Sequence, residues 1–250
     1  MHTTIEGIVL RCRQMENDRL LTILTAELGL ITAWANNTSS RYRGLAAATE
    51  AFGYCRFELF SSRGRMSVDK ADPIRLFHRL RADYLRVCLA YYFTQLAGEL
   101  LTAGEQAAEP LRLLLNCLHY LEEELKPPEL IKPLFELRLG TLIGFMPDLV
   151  GCKNCREYQA VGFAFFPFDG RIICADCLLE RPVPGGMQIS PGVLAAMRHI
   201  IYSPTQRLFA FTLGGEWAEE LLRVCEGFLL ARAERGFSAL ELYNSERGAR

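Results

Sequence analysis

Lysine and histidine are scarce in this 250-residue chain. Four of its 28 basic residues are lysine and 24 are arginine, and histidine occurs only at His2, His78, His119 and His199. Neither His-Glu-x-x-His nor a His-x-Glu element ahead of a cysteine pair is present, which removes the common zinc hydrolase and zinc deaminase patterns. No two glycines stand at Gly-x-Gly spacing, and neither Gly-Lys-Ser/Thr nor Gly-x-Ser-x-Gly occurs. Those absences exclude the dinucleotide fingerprint, the phosphate loop and the nucleophile elbow. Acidic pairs such as Glu16 and Asp18, or Asp69 and Asp72, read as solvated charges, so no enzyme is expected. Long apolar runs are missing too. The longest uncharged stretch, Pro182 to Met197, contains three prolines and three glycines, and the more apolar Val87–Gly98 is too short to span a bilayer. No membrane span is expected. With nine cysteines and no secretory signal, the chain reads as reduced and cytoplasmic.

The cysteines carry the strongest chemical signal. Cys152-Lys153-Asn154-Cys155 and Cys174-Ala175-Asp176-Cys177 are separated by 18 residues, the spacing at which four thiolates close around one zinc ion. A two-residue gap lets both sulfurs of a pair turn to one point. Tyr158 to Ile173 reads as a β-hairpin whose Asp169-Gly170 turn returns the second pair to the first. Four thiolates leave no open coordination position, so the zinc, one per chain, is expected to be structural. The competing reading is a redox-active pair, Cys152 with Cys155. Cys12, Cys55, Cys88, Cys117 and Cys225 stand singly in apolar surroundings and read as small buried hydrophobes.

Half the residues are apolar, enough for more than one core, and the net charge of −1 points to no polyanion. The balance is uneven, however: residues 1–75 hold 10 basic and 8 acidic side chains, residues 76–150 hold 7 and 10. Arginine's planar fork suits phosphate contact and base stacking, although a GC-rich genome produces the same bias.

Residues 1–75 read as strands at Thr4–Cys12, Leu20–Thr25, Leu30–Ala35, Phe52–Phe60 and Arg65–Ala71, with a short helix near Gly44–Glu50. That order fits an OB-fold, and periodicity alone leaves an SH3-like barrel open. From Arg75 the period is helical. One helix to about Leu101 is expected to bury Leu76, Leu80, Tyr84, Val87, Cys88 and Tyr91. A second opens at Pro110 and ends before a solvated run Glu122-Glu123-Glu124, and a third covers about Leu130 to Phe145. After the cysteines come a helix capped by Ser190-Pro191, another over about Glu216–Arg235, and a short tail. The fold class expected is α+β and multidomain: an N-terminal OB-fold β-barrel followed by a mostly α-helical domain with a zinc-binding β-hairpin. The boundaries are 1–75 for the barrel, 76–150 and 182–250 for the helical domain, and 151–181 for the hairpin.

An OB barrel binds single strands with arginines along the backbone and aromatics under the bases. The candidates are Arg11, Arg13, Arg19, Arg41, Arg43, Arg56, Arg63, Arg65 and Lys70, interleaved with Trp34, Tyr42 and Tyr54. A scattered solvated surface with core aromatics is the bland alternative.

Several blocks in order resemble the bacterial recombination and repair protein RecO family. They are Gly7-Ile8-Val9-Leu10-Arg11, Glu16-Asn17-Asp18-Arg19-Leu20-Leu21-Thr22, Glu27-Leu28-Gly29-Leu30-Ile31, Phe135-Glu136-Leu137-Arg138-Leu139, Gly144-Phe145-Met146-Pro147-Asp148-Leu149 and Gly236-Phe237-Ser238-Ala239-Leu240. The resemblance implies an OB domain, a helical domain and a zinc hairpin that only some members keep. It implies a non-enzymatic activity: binding single- and double-stranded DNA, annealing complementary strands, and acting with RecR and SSB so that RecA loads, in the cytoplasm at the nucleoid. Where the family usually has a strongly basic segment, this chain reads Ala35-Asn36-Asn37-Thr38-Ser39-Ser40-Arg41-Tyr42-Arg43, so contact is expected to weaken or to shift to the hairpin arginines and RecR. The acidic, hydrophobic-ended SSB C-terminal tail is expected beside Lys132, Leu134, Arg138 and Leu142. A zinc-ribbon adaptor that binds only protein is the alternative function.

Overall fold

The computed structural model describes residues 2–36 and 43–249, which gather into two compact units, Met1–Leu125 with Phe237–Arg250, and Lys126–Gly236. The first unit opens with strands β1 (His2–Met15), β2 (Asp18–Thr25) and β3 (Gly29–Ala35), helix α1 (Arg43–Ala48), and strands β4 (Tyr54–Ser62) and β5 (Arg65–Arg75). The strands close into a barrel of order β1-β2-β3-β5-β4, antiparallel throughout except where β5 runs parallel to β3. This order, with a helix between the third and fourth strands, is that of the OB-fold and settles the choice against the SH3-like barrel.

Period-two alternation builds the barrel. Along β4, Cys55, Phe57 and Leu59 are buried while Arg56 and Glu58 face out, and Val9, Leu21, Ile23, Ile31, Ala33 and Val68 complete the interior with Ala48 of α1. Gly7 is required by close approach: a Cβ there would stand 2.6 Å from Ile23 and 2.9 Å from the Leu24 carbonyl. The β1–β2 register slips between Val9 and Arg11. Leu10, freed from the ladder by this bulge, packs toward Gly98 of helix α2 (Tyr84–Leu100).

Two helical expectations change. The stripe predicted from Leu76 assumes one helix, but His78–Ala82 is a 3₁₀ turn and α2 starts after Asp83, whose carboxylate accepts the Arg86 N–H at 3.0 Å. The restart rotates the buried face to Leu85, Cys88, Leu89, Tyr92, Phe93 and Leu96, leaving Tyr84 and Tyr91 exposed. Helix α3 (Ala108–Glu122) begins two residues before Pro110, which falls among the first-turn positions whose N–H has no helical partner.

The run Glu122-Glu123-Glu124 is not simply solvated. Glu122 is 8 % exposed and pairs with Arg75 at 2.7 Å, Glu123 pairs with Arg75 and Arg79, and Glu124 with Arg86 at 2.6 Å. The acids clamp the end of β5 and the start of α2 to α3. Periodicity cannot show such pairing because the partners lie more than 35 residues away.

The second unit contains α4 (Pro128–Leu142), strands β6 (Phe163–Phe166) and β7 (Arg171–Cys174), α5 (Ala175–Glu180), β8 (Met187–Ile189), α6 (Pro191–Tyr202) and α7 (Glu216–Ala233). The expected hairpin is present as β6–β7, but β8 adds a third strand on the other side of β6. Three residues are too few for a period to show. The tail expected after Gly236 is a helix, α8 (Ser238–Gly248), which buries Leu240 and Tyr243. It belongs to the first unit, where the Ala239 N–H donates to Gln95 Oε1 at 2.9 Å and Phe237 meets Tyr92 edge to face. No helix among the described residues is long and apolar enough to cross a membrane.

Candidate metal centre and nucleic-acid interface

The four predicted cysteines come together. Their sulfurs all lie within 4.8 Å of one another, with Cys155 and Cys174 at 3.6 Å. Four sulfurs at about 2.3 Å from a tetrahedral ion would stand about 3.8 Å apart, so the cluster has the dimensions of a metal site. Cys152 and Cys174 are buried, Cys177 is half-buried and Cys155 is exposed.

Local backbone makes the pocket. After Cys152 the chain turns so that Arg156 N–H bonds the Cys152 carbonyl at 2.9 Å, and Cys152 N–H bonds Glu157 O at 2.8 Å. Gly151 is needed because a Cβ would lie 2.8 Å from the Arg156 carbonyl. β7 places Cys174 on the hairpin's last position, and its N–H donates to Cys152 Sγ at 3.3 Å. Burial pushes the Cys152 thiol up, but the N–H groups of Cys155, Cys174 and Asn154 outweigh it and bring the group down to about 6. Hydrogen bonding with Cys174 is the main reason Cys177 is pushed up to about 12. Donors aimed at sulfur are what a thiolate ligand set requires. The low value could also suit redox chemistry, but Cys152 has 0 % exposure, and an attacking thiolate must be reachable. Geometry therefore favours ligation.

Arg198 of α6 fastens the loop preceding the first pair. Its Nε donates to Leu149 O at 2.8 Å, its Nη2 to Val150 O at 3.1 Å, and its guanidinium lies 4.2 Å from the Tyr158 ring centroid. Sequence reasoning missed this residue because nothing local signals a helix arginine that serves a loop some 48 positions earlier.

The predicted basic residues separate into two groups. Arg13, Leu20 and Trp34 share one cross-strand row and Arg11, Thr22 and Thr32 the next on the same face, with the row of Cys12, Leu21 and Ala33 between them, and Arg65 stacks over Trp34 at 4.3 Å. Arg63 is in the turn between β4 and β5 at φ 49°. Arg11, Arg13 and Arg63 are exposed and form no ion pair among the described residues. The second group is occupied. Arg56 meets Glu6, directly opposite on β1, at 2.8 Å, and Tyr54 donates to the same carboxylate at 2.9 Å. Lys70 pairs with Asp72 at 2.6 Å, and Arg19 holds α1 through Ala46 O at 2.5 Å and Thr49 Oγ1 at 2.9 Å. Arg41 and Tyr42 lie outside the described residues, and Arg43 opens α1.

On α4 the placements differ from a solvent-facing rim. Lys132 and Leu134 are fully buried, Lys132 between Glu136 at 2.7 Å and Glu226 at 2.8 Å. Arg138 does not pair with Glu136: its Nη1 donates to the carbonyls of Ile200 and Ile201, at 3.2 and 2.7 Å, near the end of α6. Arg138 and Leu142 are half-buried.

A closed OB barrel with an arginine stacked on an outer tryptophan, combined with a helical unit bearing a four-cysteine cluster, defines a class of multidomain protein built on a nucleic-acid-binding fold. Residues 1–77 match the family described as recombination protein O N terminal, and residues 81–241 match recombination protein O C terminal. The "DNA repair protein RecO" of Symbiobacterium thermophilum is 32 % identical over 98 % of both chains. Proteins of the same name are 31 % identical in Rubrobacter xylanophilus, over 91 % of this chain and 90 % of that one, and 27 % in Acetivibrio thermocellus, over 94 % and 93 %. The chain belongs to the RecO family of DNA repair and recombination proteins.

Proposed function

We propose that this protein is a non-enzymatic recombination mediator that binds single- and double-stranded DNA, anneals complementary strands, and acts with RecR and SSB to promote RecA loading in the cytoplasm. The observation that carries the reading is the barrel face on which Arg65 stacks over Trp34, Arg13 shares Trp34's cross-strand row and Arg11 lies two positions along, with Arg11 and Arg13 meeting no carboxylate among the described residues. Annealing needs no bond chemistry. Cations that neutralise phosphates let two strands approach while base pairing supplies the driving force. The four cysteines hold one structural zinc ion in this reading, keeping β6–β7 closed. The modules 1–75, 76–150, 151–181 and 182–250 are kept in this reading as functional segments, distinct from the two compact units, which divide the chain at other positions.

Single-strand affinity is expected to fall linearly with salt on a log–log scale, by about 0.7 for each phosphate neutralised. Replacing Arg11, Arg13 and Arg63 together by alanine should flatten that slope by about 2. Arg56→Ala with Lys70→Ala should leave it nearly unchanged, since Glu6 and Asp72 already neutralise those groups. Arg41→Ala with Arg43→Ala measures the share of these two arginines, Arg43 being the first residue of α1. An unaltered slope in the triple variant removes the barrel face as the DNA site.

For the SSB tail we retain Arg138 and Leu142, with Lys132 and Leu134 as interior support. Calorimetry with a peptide of the tail should show binding that Arg138→Glu weakens several-fold at unchanged zinc content. Undiminished affinity excludes this helix. The adaptor reading draws on apolar residues exposed on the cysteine-bearing module, Val161, Phe168 and Leu179. It is separated from the first by whether the isolated chain binds DNA at all.

A further inference from the structure

A cleft of about 640 Å³ lies within the first unit, floored by the ends of β1 and β2 and walled by α2 and the start of α8. Its size is that of a small-ligand site, enough for a nucleotide or two. We infer that this cleft seats an unpaired segment of the DNA strand as it leaves the barrel face, with Arg11 on a backbone phosphate and Tyr91 under a base. The inference rests on the DNA-binding reading and extends it from the face of the barrel to its helical flank.

Three observations carry it. Arg11 belongs to both surfaces, standing two positions from Trp34's row on the same barrel face and lining the cleft, so a strand can pass from one to the other without losing its cation. Tyr91 is 45 % exposed and lines the cleft, whereas the aromatics that follow it on α2, Tyr92 and Phe93, are fully buried. Phe52, itself buried, holds the Tyr91 ring from behind at 4.8 Å between centroids. A ring pre-positioned in this way gives up little freedom on stacking, and stacking is tolerant of sequence.

One of the two acids in the cleft has its charge met by a cation. Glu50 is neutralised by Arg81 at 2.9 Å, and Glu99 accepts from Gln95 at 2.8 Å.

The test compares Tyr91→Leu, which keeps an apolar contact with Phe52, with Tyr91→Phe, which keeps the ring. Single-strand affinity is read for each at fixed salt, and the melting temperature checks the fold. The Leu variant should bind an oligothymidylate at least about fivefold more weakly, the low end for one stacked base, and the Phe variant should bind like wild type. Irradiating wild type with an oligonucleotide carrying one 5-iodouracil should cross-link Tyr91. Wild-type affinity in Tyr91→Leu, alongside loss in Trp34→Leu, overturns the cleft and leaves the barrel face standing. A wild-type chain without salt-sensitive affinity overturns the proposed function and the cleft with it.

Discussion

Protein purified without chelator is expected to contain one zinc ion per chain, and Cys174→Ser to contain almost none. Cys174 joins the hairpin to the metal cluster: it pairs with Phe163 across β6–β7, its N–H donates to Cys152 Sγ, and the residue is 2 % exposed. A serine there leaves a hydroxyl that ligates poorly and three sulfurs that cannot close a tetrahedron. Because metal binding in such modules is coupled to folding, the loss should be on the order of 4 kcal/mol or more and centred on the cysteine-bearing module. Elemental analysis and denaturant unfolding measure both quantities. Cys12→Ser is the control, since Cys12 is half-buried outside the cluster and should leave the zinc content at one. A preparation that is zinc-free yet cooperatively folded would sink the assignment.

Lys132→Ala should be the most damaging substitution among the charged residues. The ammonium is fully buried in the second unit, and its loss would strand the fully buried Glu136 carboxylate and the partly buried Glu226 without their shared cation. Breaking a buried pair from one side costs about 3–5 kcal/mol, whereas replacing the partners with apolar groups of similar volume can be close to neutral. Lys132→Met combined with Glu136→Leu should therefore recover much of what Lys132→Ala loses, as read from urea midpoints. The pH dependence follows from the same contacts. Burial pushes Lys132 down, but Glu136 and Glu226 outweigh it and hold the group above its usual range. A raised folded value means the stabilisation is complete below the unfolded value of about 10.4 and is lost as pH rises through the folded one. Equal destabilisation in the two variants would show that an apolar pair of similar volume cannot stand in for the charged one, and would overturn the stranded-carboxylate account.

Part of this molecule was legible from residue order alone. The cysteine pairs declared their site because the signal is local: a two-residue gap turns sulfurs together, and the Asp169-Gly170 turn brings the pairs into range. The barrel strands declared themselves because alternation with period two, repeated over five segments, is the pattern of half-buried strands, but strand pairing was needed to choose the OB-fold over an SH3-like barrel. Boundaries carried less information. The helix expected from Leu76 failed at Asp83, where a cap restarted the turn, and that phase change decided which of Tyr84, Val87 and Tyr91 faced out.

What tertiary structure alone decided was the availability of charge. By composition Arg11, Arg13, Arg56 and Lys70 are equivalent candidates. Folding sets Arg56 opposite Glu6 and Lys70 beside Asp72 while leaving Arg11 and Arg13 without a carboxylate among the described residues. It likewise turned Lys132, read as a rim residue, into a buried member of a three-charge cluster, and made the run Glu122-Glu123-Glu124 a clamp. The physical reason is range. Hydrophobic periodicity and cysteine spacing are properties of neighbours along the chain, and so the sequence by itself determined the barrel strands and the four-cysteine cluster. An ion pair depends on which residues the fold brings within about 4 Å across tens of positions, and the first unit's closure by α8 from the far end of the chain is decided the same way.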